Sequence, residues 1–295
     1  MAVPAGAPTL RSTGRARRRR VVNRLMEALG TLAAALAVAV LAVVVVSVAL
    51  RGAGALDLDF FTKGQGLAFL GQPGGIANAI VGTALLVALA AGMSVPVGVL
   101  IAVYLTEFAA RRVAVPLQVV LDLLTGLPTI VVGIFVYGLL VVGHVQSGYA
   151  GAFALAIIML PLVARATQEV LLLVPATLRE ASLALGVRRW RTVVGVILPS
   201  SVGGILTGTV LAVARAAGET APLLFTSSIF AGTIQTDVTK PLPNIPVLIF
   251  NYAEQPDPAL HEQAWAASLV LMTFVLVASL AAKALLARSR RKLGR

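Results

Sequence analysis

Cysteine is missing from all 295 residues, which excludes a disulfide framework and any thiolate-held metal. Charge is scarce as well: Asp, Glu, Lys and Arg together make up 12% of the chain, about half the share usual in a soluble domain. None of the four lysines follows a G-x-x-x-x-G spacing, so the chain carries no Walker A loop with which to hold ATP. Neither H-E-x-x-H nor G-x-S-x-G occurs. The two histidines, His144 and His261, fall in expected outer turns. No catalytic residue, metal site or cofactor is therefore expected.

What the chain has instead is apolar length. At 58% hydrophobic with a mean hydropathy of +0.94, it is expected to be an all-α integral membrane protein. Residues 1–24, with Arg17 to Arg20 in a row, read as a disordered basic tail. A twin-arginine export signal competes with that reading, but the apolar run from Ala28 to Leu50 is long enough to span and is taken as a retained first helix. Further spans are expected at Ile76–Tyr104, Val115–Val142, Gly148–Ala164, Val202–Phe225 and Ala264–Leu286. The six-span membrane body thus covers 25–290, with a basic tail at 291–295. An outer loop at 226–263 has an apolar core too short to cross, so it lies at the surface or re-enters.

The 24 basic residues fix the orientation. All but Arg51, Lys63, Lys240 and Arg215 fall in the tails, the turn at Arg111 and Arg112, the 165–199 loop or the end of the last span. By the positive-inside rule both termini and that loop are cytoplasmic. Topology accounts for the net charge of +12, so nucleic acid is discarded as a partner and the lipid bilayer retained.

The 165–199 loop interrupts two apolar runs. Within it, Thr177-Leu178-Arg179-Glu180 reads as a capping box starting a helix at Leu178, and Gly186 as its stop. A short helix of this make suits docking into a partner's groove. Inside the spans lie three ionisable residues, Asp122, Arg215 and Glu219, each costly in hydrocarbon unless paired or facing water. Arg215 and Glu219, four apart on one expected helix, could simply neutralise each other. Gly218, Thr220, Pro222 and Thr226 loosen and polarise that face, and a guanidinium fork suits a tetrahedral oxyanion, which favours a substrate pathway. Arg165 is either a second cation on this route or a snorkelling interfacial residue. Asp122, close to the inner interface, is expected to be structural.

Glu180, Ala181, Ser182 and Gly186, followed after nine residues by Val196, Leu198 and Pro199, resemble the EAA loop of bacterial ABC-importer permeases, with Ser182 and Val196 as departures. ARAAGETAPLLF (214–225) resembles the signature of PstA-type permeases of phosphate-specific ABC transporters, as do YLTEFA, GLPTIVVGIF, LPLVARATQE and LPNIPVLIFNYA. Ala217 departs from that signature, in which a larger apolar residue is usual.

The resemblance implies a MetI-like fold of six transmembrane helices and half of a translocation pathway. It implies a second, PstC-like permease, a PstB-like ATPase dimer that uses the ATP, and a PstS-like phosphate-binding protein outside. The substrate pathway is then expected at Arg215, Glu219, Arg165 and Thr220. ATPase coupling is expected at Glu180, Ala181, Ser182, Leu183 and Gly186. Two rivals remain: a permease for another oxyanion such as sulfate, molybdate or phosphonate, and a secondary transporter relaying ions through Arg215, Glu219 and Asp122.

Overall fold

The structure, a computed structural model, describes residues 14–66 and 74–293. Among the described residues the fold is helical, with one isolated bridge between Gln65 and Gly74 as its only extended pairing. Helix α1 (Gly14–Gly52) supplies the described residues of a first unit ending at Leu50, and the second unit runs from Arg51. Residues 14–24 are helical, a correction to the disordered tail expected over 1–24, whose first thirteen residues lie outside the described ones.

The second unit opens with α2 (Leu58–Thr62), whose N-cap Asp57 accepts from the amide of Phe60 at 2.7 Å. Next come α3 (Ala77–Val103), α4 (Arg111–Gly126), α5 (Thr129–Val136) and α6 (Gly148–Leu172). They are followed by α7 (Ala176–Ala184), α8 (Arg189–Thr192), α9 (Leu198–Ala216) and α10 (Ala221–Thr226). The chain ends with α11 (Ile245–Ala253) and α12 (Pro258–Leu293). Single π-helical turns close α3 at Tyr104–Phe108, extend α5 through Tyr137–Val141 and open α9 at Val193–Ile197. Five of these helices are long and apolar enough to cross a membrane, and α4 with α5 makes a sixth, broken span bent by 96°.

The break has a local cause. Leu127 precedes Pro128, and the proline ring pushes its predecessor out of the helical region; Leu127 sits at ψ 134°, and the helix restarts only at Thr129. The span expected over Val115–Val142 is thus this broken pair, bent at Leu127 and Pro128.

Contacts set the directions. Gly98 meets Val163 and Gly151 meets Leu86, so α3 and α6 run side by side in the same sense. Gly204 meets Val170 and Gly208 meets Ala166, so α9 runs against α6. The shared core is rich in small residues, with Ala90, Ala152, Ala156, Ala212 and Ala216 around Leu86, Leu155 and Met159. In lipid the hydrophobic effect does not drive helices together; close backbone approach and dispersion do, which is what small residues permit. At the end of the bundle opposite α7, α11 is buried at Ile245, Val247, Leu248 and Tyr252 rather than lying on the surface. Its cap is polar: the Asn244 side chain accepts from the Val247 amide at 3.0 Å, and the Ile245 amide donates to Thr83 on α3 at 2.9 Å.

Candidate functional site

Arg215 sits in the last turn of α9, more than half exposed. The register with α6 places it level with Met159, near the middle of that helix. Its neighbour Glu219 is not on the same helix, as the sequence suggested. The chain leaves α9 after Ala216 and turns through Ala217–Thr220, with Gly218 donating to the Arg215 carbonyl at 3.1 Å, before α10 begins. Pro222 explains the break, since it has no amide for the Gly218 carbonyl and its ring would collide with it. Glu219 Oε1 nevertheless comes within 3.9 Å of Arg215 Nε, a loose pair in which the carboxylate is largely sheltered and the guanidinium is not. The Arg215 guanidinium makes no hydrogen bond among the described residues. Thr220 precedes α10 but caps it with no side-chain hydrogen bond.

A second broken helix meets this one. Gly133 of α5 abuts Pro222, and the rings of Tyr137 and Phe225 lie 6.4 Å apart edge to face. The two short helices therefore run in the same direction. Extending that register sets Thr129, the first residue of α5, level with Gly218. Two spans are thus interrupted side by side at the depth of Arg215, where backbone groups freed from helices must find other partners.

Arg165 lies apart. Six residues beyond Met159 on α6, it stands about 9 Å further along the axis toward α7. Its donors are engaged: the Asp122 carboxylate on α4, the Gln118 carbonyl at 3.0 Å and the Gln168 side chain at 3.3 Å. Asp122 is thus paired and mostly exposed, not buried alone in a span.

The loop helix α7 also departs from expectation. It starts at Ala176 with Pro175 as N-cap and no side-chain cap, so the Thr177–Glu180 capping box does not form. Gly186 does stop it, at φ +75°, a left-handed conformation that glycine adopts without a Cβ clash. Glu180, Ala181 and Leu183 are exposed, together with Leu178 and Leu185. Ser182 is not: it is buried against α8, its hydroxyl 2.7 Å from that of Thr192, so it belongs to the inner face and not to a docking surface.

Sequence reasoning missed the most buried ion pair among the described residues. Arg179, counted as part of the capping box, reaches the carboxylate of Glu107 in the π turn that closes α3, with Nη2 to Oε1 at 2.8 Å and Nε to Oε1 at 3.1 Å. Glu107 is only 4% exposed. Removing Arg179 would strand the buried Glu107 carboxylate, at about 3–5 kcal/mol. Glu107 within an apolar stretch was the available signal.

Residues 94–291 match the family model for the binding-protein-dependent transport system inner membrane component. Fold and match together define a multi-pass membrane component of such a transport system. Among curated relatives, the phosphate transport system permease protein PstA of Xylella fastidiosa (strain Temecula1 / ATCC 700964) is 40% identical over 279 residues, covering 93% of this chain and 96% of that one. The PstA protein of Yersinia pestis is 42% identical over 219 residues, 74% of each chain. PstA 1 of Mycobacterium tuberculosis (strain ATCC 25618 / H37Rv) is 40% identical over 212 residues, 71% of this chain and 68% of that protein. The chain belongs to the PstA permease family. Among solved structures, the MetNI methionine ABC transporter in an inward-facing conformation has the same fold, with a TM-score of 0.56 at 18% identity over 73% of this chain and 94% of that one.

Proposed function

We propose that this chain is the permease subunit of an ATP-driven importer of inorganic phosphate, forming half of the pathway, with Arg215 as the cation that meets the anion. The observation that carries the reading is the contrast among three arginines. Arg165 and Arg179 have their donors occupied, whereas Arg215, beside two interrupted spans, has only a loose partner and a free guanidinium fork. A fork of that kind offers two oxygens of a phosphate bidentate hydrogen bonds. Glu219 keeps the resting charge balanced, and Thr220 adds a hydroxyl on the same turn. Arg165, balanced by Asp122, is the second cation on the route. Engagement at each has to stay moderate, because an anion held tightly would not leave.

The α7 end is the cytoplasmic one, with both chain termini on that side. There Glu180, Ala181 and Leu183, with Gly186 ending the helix, present α7 to the groove of a PstB-like ATPase dimer, which binds and hydrolyses the ATP; this chain supplies no catalytic group. A PstC-like permease completes the pathway, and a PstS-like binding protein delivers phosphate outside. The names of the relatives support phosphate over other oxyanions, and an α7 presented in this way has no use in a gradient-driven transporter.

Radiolabelled phosphate uptake at low external concentration, in cells with and without this gene, tests the reading. Uptake should vanish in the deletion, resist excess sulfate or molybdate, and follow ATP depletion rather than loss of the proton gradient. Undiminished uptake in the deletion, or dependence on the gradient, would contradict it.

A further inference from the structure

Among the described residues, helix α7 contributes no side chain to any apolar core of the bundle: of its residues only Ser182 is buried, and that contact is between hydroxyls. Its attachment to the membrane spans is therefore polar, and it is concentrated at one residue. Arg179 donates Nε and Nη2 to Glu107, Nη1 to the Val174 carbonyl at 2.6 Å and Nη2 to the Leu171 carbonyl at 2.8 Å. Leu171 lies in the last turn of α6 and Val174 just beyond it, where carbonyls lose the regular i+4 amide: for Leu171 that position is Pro175, and a long bond of 3.3 Å from the Val174 amide remains. Glu107 belongs to the π turn that ends α3, and π turns recur at functional positions in helices. One guanidinium thus joins α7 to the inner ends of α3 and α6, the two spans that share the main core. Three residues on, Ser182 fixes α7 to Thr192, at the foot of α9.

Apolar surfaces can slide past one another, whereas a planar fork held by a buried carboxylate and two carbonyls cannot shift without breaking directed bonds. We propose that Arg179 and Glu107 are positioning residues that convert displacement of α7 into displacement of α3 and α6, so that ATP turnover on the partner moves the pathway. This rests on the reading of α7 as the ATPase-docking helix. It assigns to the buried inner face of α7 a role distinct from docking, which belongs to the exposed Leu183 face.

The test uses the full complex reconstituted in vesicles, with ATP hydrolysis, phosphate imported per ATP and ATPase-subunit retention all measured. Glu107→Gln should keep the ATPase subunit bound and ATP turnover within about twofold of wild type, while phosphate imported per ATP falls at least tenfold. The apolar pair Glu107→Leu with Arg179→Met removes the buried charges together, a replacement that commonly preserves folding; it should assemble and be uncoupled in the same way. Import per ATP at the wild-type level in the apolar pair would show that the ion pair only fills space, and would overturn the proposal.

A measurement on the unaltered link guards against variants that do not assemble. Because the chain lacks cysteine, spin labels can be placed at Thr177, on α7 but outside the docking residues, and at Tyr104, both exposed, in a complex whose other subunits are cysteine-free. The distance between them should stay constant between nucleotide-free and ATP-trapped states. A change of several ångströms would mean that α7 moves independently of α3, which also overturns the proposal. Leu183→Asp should instead release the ATPase subunit; retention of that subunit would refute the docking reading itself, and the link with it.

Discussion

Gly133 on α5 packs so closely against Pro222 on α10 that a Cβ on the glycine would lie 2.6 Å from the proline Cα. Two interrupted spans, each broken around a proline, are thereby locked side by side next to Arg215. Gly133→Val should force α5 and α10 apart at about 1–3 kcal/mol of overpacking. Phosphate uptake is expected to fall at least tenfold while the chain still reaches the membrane, as read by transport and by immunoblotting of membrane fractions. Uptake at the wild-type rate would show that close seating of the two short helices is dispensable.

Arg165 and Asp122 give a second prediction. Because Asp122 balances Arg165 and joins α4 to α6, Asp122→Asn leaves an uncompensated guanidinium on the inner half of the route. Phosphate should then linger there: the maximal uptake rate is expected to drop several-fold, with an unchanged or lower apparent KM. A raised KM with an unchanged maximal rate would remove Arg165 from the pathway.

At the end of α7 the prediction concerns the backbone. Gly186 is held at φ +75° in open space, so a larger side chain meets no neighbour but is strained by conformation alone, at about 1–2 kcal/mol. Gly186→Val should shift the end of α7 and reduce ATPase coupling several-fold, whereas Gly186→Asn, which tolerates the left-handed region, should stay near wild type. Equal behaviour of the two would argue that the turn is not used.

The spans, their order and the loop helix could be read from the sequence, because apolar length and the distribution of arginines are set by the bilayer itself. The helix breaks were harder. Pro128 and Pro222 were visible, but a proline in an apolar run can also be accommodated within a continuous helix, as Pro96 and Pro161 are here. The i, i+4 pairing of Arg215 with Glu219 assumed a helix that Pro222 ends. In α7, the capping-box spelling at Thr177 competed with Pro175, which preset the first turn two residues earlier. Ser182 looked like a docking residue because its inward orientation depends on Thr192, ten positions away. The Arg179–Glu107 pair joins residues 72 apart, a contact that local spacing cannot reveal.

The central claim is that the free guanidinium of Arg215 meets the transported anion. Its most direct test is phosphate uptake by complexes carrying Arg215→Ala and Arg215→Lys, alongside assembly of the subunits and the ATPase rate. The account predicts that Arg215→Ala assembles normally yet imports less than about one hundredth of the wild-type amount, with Arg215→Lys retaining part of the activity, since a single ammonium keeps the charge but loses the fork. Uptake by Arg215→Ala at the wild-type rate would contradict it and reduce the arginine to a packing residue.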